Sequence, residues 1–151
     1  MLSRVEEHLP GATVWEAKAG RAFVGRLHRG TDLVEGIQRF CVERSINAAW
    51  LSAIGAVERA AFAYYNLERR EYGELSSETH HEITSLSGNV SVRDGRPFVH
   101  AHASFADDTG AVVGGHLMRG TIVFLCEFTL REMSDVLLVR SHDEETGLAV
   151  W

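Results

Sequence analysis

A chain of 151 residues, 45% hydrophobic and 24% charged, has the size and composition of one globular domain, which excludes a disordered tail or a fibrous repeat. Its 15 Lys and Arg against 21 Asp and Glu give a net charge of −6 with no basic run, a poor match to a phosphate backbone. No stretch reaches the roughly 18 consecutive apolar residues of a membrane span, and residues 1–10 lack the apolar region of a secretory signal, so a cytoplasmic chain is expected.

Along the chain, residues 1–20 read as an irregular lead-in and 21–151 as a single domain. Residues 22–28 alternate as a first strand would. Gly30-Thr31-Asp32 then offers a turn and a helix N-cap, with Glu35 three residues further on as in a capping box. Leu33, Ile37, Phe40 and Cys41 follow at helical spacing, which predicts a helix over about 32–44. Short strands are expected at 48–54, 60–65, 82–86 and 89–93, with residues 67–79 as a polar surface loop. Asp94-Gly95 is a hairpin signal, and the segments 98–106 and 111–118 flank a second turn at 107–110. Residues 121–130 form a strongly apolar strand and 136–139 a short last one. Many hairpin-linked strands with one early helix indicate an α+β fold with a mostly antiparallel sheet. Cys41 and Cys126 stand far apart, outside any Cys-x-x-Cys, and are expected as free buried thiols.

The chemistry concentrates in the histidines. His100 and His102 lie two apart in a predicted strand, so both rings leave one face, ~6.6 Å apart along it. His102 and His116 each stand seven residues from Thr109, so a turn centred there sets them opposite one another. Three imidazoles on one face make a transition-metal site with an open fourth position, the arrangement of catalytic zinc. The bland alternative is half-exposed strand histidines, or an ion that only pins the hairpin. Gly114 and Gly115 are read as leaving room for the ion or permitting a bulge that aims His116. His80 and His81 are adjacent and cannot serve one site; His8, His28 and His142 are expected at the surface. Glu82 and Glu127 interrupt apolar strands, as carboxylates that steady a histidine ring or that pair with an arginine. Arg26 is a candidate for that pairing or for anchoring an anionic ligand.

The run from Glu82 to Asn89, then Gly95-Arg96-Pro97-Phe98-Val99-His100-Ala101-His102 and Gly114-Gly115-His116-Leu117, resembles the PPC domain. This is the plants and prokaryotes conserved family, a domain of unknown function. Arg26-Leu27, Gly30-Thr31-Asp32-Leu33, Ser52-Ala53-Ile54-Gly55-Ala56 and the ending Asp143-Glu144-Glu145-Thr146-Gly147-Leu148 agree with it, so the resemblance covers roughly residues 21 to 150. It implies an α+β homotrimer. It also implies two traditions: self-association and partner binding beside AT-hooks in plants, and metal held by histidines at the positions of His100, His102 and His116 in prokaryotes. The chain carries no AT-hook, and Thr79-His80-His81 replaces the Gly-Arg-Phe of plant members. The expectation is therefore a trimeric metal protein with one transition metal, zinc by preference, per chain. Its reaction and substrate are unnamed, and small-molecule or protein partners stay open. A DNA-associated regulator or interaction scaffold is the alternative, with intrinsic DNA binding disfavoured by the charge.

Overall fold

The structure, a computed structural model, describes residues 6–151. A small hairpin, β1 (Glu6–Leu9) and β2 (Ala12–Trp15), precedes β3 (Lys18–Leu27). Part of the segment read as irregular is thus regular backbone. The helix α1 (Leu33–Glu43) matches the expected span. Asp32 caps it by accepting the Glu35 N–H at 3.0 Å. The reciprocal half of a capping box is replaced, since the Glu35 carboxylate pairs with Arg119 at 3.3 Å.

Eight further strands follow: β4 (Ala49–Asn66), β5 (Glu71–Ser77), β6 (His81–Arg93), β7 (Arg96–Ala106), β8 (Val112–Leu117), β9 (Ile122–Ser134), β10 (Ser141–His142) and β11 (Ala149–Val150). Seven of the strands make one sheet in the order β3-β9-β4-β6-β7-β8, with β5 beside β4. Every pairing of named strands is antiparallel. The sheet turns back on itself, because Phe62 and Ala63 of β4 pair with Leu117 and His116 of β8. This confirms an α+β domain dominated by antiparallel sheet.

Four sequence expectations need correction. Segments 48–54 and 60–65 are one strand, because register shifts near Gly55 and Val57 bend β4 without a turn. Gly55 has φ +143, and a Cβ there would strike the Leu125 carbonyl, so the glycine serves close approach to β9. Segments 82–86 and 89–93 are likewise one strand. Gly88 lies where a Cβ would come within 2.5 Å of the His100 carbonyl oxygen. The polar stretch 67–79 holds β5, polar because it is mostly exposed. Residues 136–139 are not a ladder strand; the chain runs beside the end of β6, with Val92 N–H donating to the Leu138 carbonyl and Arg140 N–H to the Val92 carbonyl.

One face of the sheet packs on α1. Leu33, Ile37 and Cys41 of the helix are fully buried with Leu51, Phe105 and Leu130 of the strands. Each large side chain so buried contributes about 1.5–3 kcal/mol. An 11-residue helix is too short to persist alone, so this face holds it in place. Cys41 and Cys126 are buried and unpaired, their thiols pushed up to about 12 and about 11 by burial. That leaves them inert as nucleophiles. The opposite face carries the cross-strand rows Trp50, Asn89, His100 and Ser52, Ser87, His102. No helix is long and apolar enough to cross a membrane among the described residues.

Candidate metal centre

Strand alternation builds the site first. In β7, Val99, Ala101, Ala103 and Phe105 turn into the core, while Phe98, His100, His102 and Ser104 turn outward. The turn after β7 is fixed by Asp107, whose Oδ1 accepts from Thr109 Oγ1 at 2.6 Å, Thr109 N at 2.9 Å and Ala111 N at 3.0 Å. Those bonds, led by the Thr109 hydroxyl, hold its carboxyl below the usual range. Gly110, at φ +81, completes the turn. The register that results pairs His102 with His116, as the symmetry about Thr109 requires.

The glycines before His116 do a different task from the one expected. A Cβ on Gly114 would strike the Ala103 carbonyl of β7, and one on Gly115 would lie 2.6 Å from the Ala63 carbonyl oxygen of β4. They let β8 lie tightly between two strands, which seats His116 without making space for an ion.

The three rings meet. Their centroids are 5.5 Å apart for His100 and His102, 5.0 Å for His100 and His116, and 5.6 Å for His102 and His116. One nitrogen from each lies within 4.8 Å of the others. Tetrahedral ligation at 2.0–2.1 Å needs nitrogens ~3.4 Å apart, a difference small side-chain tilts can close. Two further observations fit an ion. His116 Nδ1 is buried with no hydrogen-bond partner, a state polar atoms rarely keep unless something else binds them. Burial also holds both half-buried rings neutral, as metal ligation demands. The His100 pKa falls to about 4 through burial, then Arg140 and the other two rings; that of His116 falls through burial, then His102 and Arg140.

Around the cluster, Tyr72 of β5 stacks on His116 with centroids 5.0 Å apart. Arg140 lies across the row Asn89–His100, donating to Asn89 Oδ1 at 3.1 Å and to His100 Nδ1 at 3.2 Å. Sequence reasoning missed Arg140. It follows an apolar run in a segment read as a plain strand, and its only signal is being a lone cation there.

The other candidates sit elsewhere within a single chain. Glu82 is exposed opposite Ala106, five residues along β6 from Ser87, the partner of His102, or about 16 Å. Its carboxylate lies 3.4 Å from the His80 ring nitrogen Nε2. Glu127 stands between Arg26 of β3 and Ile54 of β4, and both it and Arg26 are exposed. Strands β4 and β6 lie between β9 and the histidines of β7, and β4 lies between β9 and His116 of β8. His81 is buried with Nδ1 2.8 Å from the Thr79 carbonyl oxygen, while its neighbour His80 is exposed, so the two do point apart. His28 and His142 are exposed; the side chain of His8 lies outside the described residues.

Residues 15–134 match the sequence model of the Plants and Prokaryotes Conserved (PCC) domain. A metal-containing protein from Archaeoglobus fulgidus is 44% identical and superposes with a TM-score of 0.88 over 91% of this chain and 97% of its own. A plant- and prokaryote-conserved protein from Pyrococcus horikoshii is 35% identical, with a TM-score of 0.86 over 90% of this chain and 94% of its own. A protein from Ralstonia eutropha JMP134 whose name proposes DNA binding is 25% identical, with a TM-score of 0.77 over 84% and 88%. No curated protein matches the chain.

Proposed function

The chain belongs to the Plants and Prokaryotes Conserved domain family, and from that premise we propose that it is a metal protein holding one zinc ion through His100, His102 and His116. The observation that carries this reading is the cluster itself, three ring nitrogens within 4.8 Å with His116 Nδ1 buried and unpartnered. The metal-containing relative at 44% identity supports it. Zinc is favoured because three imidazoles and no thiolate suit a borderline ion with one position left open. When bound there, it supplies Lewis acidity at that position. The protein's own part is to keep His100 and His116 neutral by burial, to hold His100 through Arg140 until the ion arrives, and to cover His116 with Tyr72.

The proposed assembly is a homotrimer. Exposed apolar side chains on the face opposite α1 support it: Val24 is 88% exposed, Ile54 56% and Trp50 53%. A cytoplasmic setting is proposed with it, supported by the two unpaired cysteines. A DNA-associated role is the second reading, favoured by the name of the Ralstonia relative. The net charge of −6 weighs against intrinsic DNA binding, and an oligomer multiplies that charge.

Elemental mass spectrometry on tag-free protein, with His102→Ala beside it, tests the reading. His102 is exposed, so its removal leaves the core intact. The expected result is about one zinc per chain in the parent and a loss of roughly tenfold or more in the variant. Folded protein that stays metal-free after reconstitution with zinc overturns the reading and moves partner binding to the front.

A further inference from the structure

We propose that the cavity beside the three histidines binds a small organic carboxylate, anchored by Arg140 with help from Arg93, and that loading the histidines with an ion strengthens this binding. The second half rests on the metal reading above.

Arg140 is a cation without a countercharge among the described residues. Arg140 is partly buried, with its guanidinium 5.6 Å from the Phe98 ring centroid and 5.9 Å from that of Trp151. Its Nε donates to Ser91 Oγ at 2.8 Å and its Nη1 to the Ala149 carbonyl at 2.9 Å. Its Nη2 donates to Asn89 Oδ1 at 3.1 Å and His100 Nδ1 at 3.2 Å. All four acceptors are neutral, and none of the ion pairs among the described residues includes Arg140. Arg93 adds to the positive field. Its partner Asp94 is distant, at 3.8 Å, with a side chain 94% exposed, and so compensates little. A partly buried cation left without a countercharge is disfavoured, and a carboxylate is the group that would relieve it.

The space for it exists. A cavity of about 510 Å³ is lined by Arg93, Phe98, His100, His116, Arg140 and Leu148, among others, with the exposed Asp94 as the one carboxylate in its lining among the described residues. That volume lies in the range of small-molecule sites. The apolar wall of Phe98, Leu148 and Val150 suits an organic body better than a bare inorganic ion.

The N–H groups of Arg140 link this site to the ion. A guanidinium has five N–H groups, and the four contacts above leave one free. The acceptor at His100 is the Nδ1 lone pair. If an ion takes that lone pair, Arg140 loses the acceptor. If the ion takes Nε2 instead, the ring proton moves to Nδ1, and Arg140 loses it again. Ligation through either nitrogen therefore frees a second N–H on a planar fork, and two such donors match the two oxygens of a carboxylate. A phosphate would bring a third oxygen to a cavity with no lysine; the single lysine, Lys18, pairs with Asp135 elsewhere.

Calorimetric titration of succinate into metal-free and zinc-loaded protein, with zinc content measured in parallel and inorganic phosphate as the competing probe, tests this. The expected result is saturable succinate binding, roughly tenfold tighter on the zinc-loaded chain. Arg140→Gln weakens it roughly tenfold to hundredfold. Arg93→Gln, an exposed change that leaves the core untouched, weakens it by roughly threefold or more and keeps the test readable if Arg140→Gln fails to fold. Affinity unchanged in the variants overturns the proposal, and preference for phosphate overturns the choice of carboxylate. Zinc-loaded protein that binds no succinate removes the anion site while the metal reading stands. Protein that takes up no zinc yet binds succinate through Arg140 removes the metal reading and the coupling while the anion site stands.

Discussion

The β7–β8 hairpin and the segment after β9 deliver groups to the same spot by opposite routes. In the hairpin, strand alternation decides which side each ring leaves, and the turn held by Asp107 decides which residue faces which. His102 meets His116 as a local consequence of spacing. Arg140 arrives from 49 residues beyond Ser91, 51 beyond Asn89 and 40 beyond His100. Nothing periodic in its own segment anticipates those partners. Rings placed by local geometry are thus tuned by a cation placed by docking, and only the first of these follows from spacing.

Three measurements press on that contrast. The largest effect is expected from Gly114→Val, which attacks the hairpin. The new side chain would meet the backbone of β7, with Ser104 Cα only 2.9 Å from the Cβ position. We expect a loss of about 1–3 kcal/mol in denaturant unfolding, with zinc content falling as His116 leaves its register. Retained stability and zinc would show that the tight approach of β8 is dispensable.

A pH series on the metal-free protein comes next and reads the influence of burial and Arg140 together. His100 titrates at about 4 in the folded chain against about 6.5 unfolded, and His116 is lowered in the same direction. Between those values the unfolded chain binds more protons, so stability rises with pH through the window. It is complete above about 6.5 and lost as pH falls toward about 4. Unfolding midpoints measured across that range check this, and His100→Gln should flatten the slope. A flat profile in the parent would mean that the rings titrate freely.

The smallest effect is expected from Arg26→Ala, on the part of the sheet that serves neither route. Arg26 is exposed beside Glu127, so stability should change by no more than about 0.5 kcal/mol and zinc content not at all. Loss of zinc in this variant would place Arg26 at the cluster of a neighbouring subunit.

The helix, both hairpin turns and the histidine face were legible because each rests on a short-range rule. Asp32 caps the first turn of α1, Asp94-Gly95 reverses the chain, and alternation in β7 separates Ala101 from His102. Continuity was less legible. Gly55 and Gly88 read as breaks, yet each lies inside a strand where another backbone leaves no room for a Cβ. Strand β5 was hidden because exposure makes it as polar as a loop. The carboxylates Glu82 and Glu127 looked like partners for the rings because their strands are apolar. The register along β6 sets Glu82 away from the histidines, and the strand order does so for Glu127, in one chain.

The length of β4 bears on how the molecule comes to exist. One of its edges pairs with β6 and β5, the other with β9 and β8. Ala49 must find Glu132 across most of the chain. Contacts of such separation place folding on the slow side, in milliseconds to seconds. A ribosome would release β4 well before β9. During that interval its apolar edge stands unpaired, which is the state most open to association with another chain and the one a chaperone would meet first.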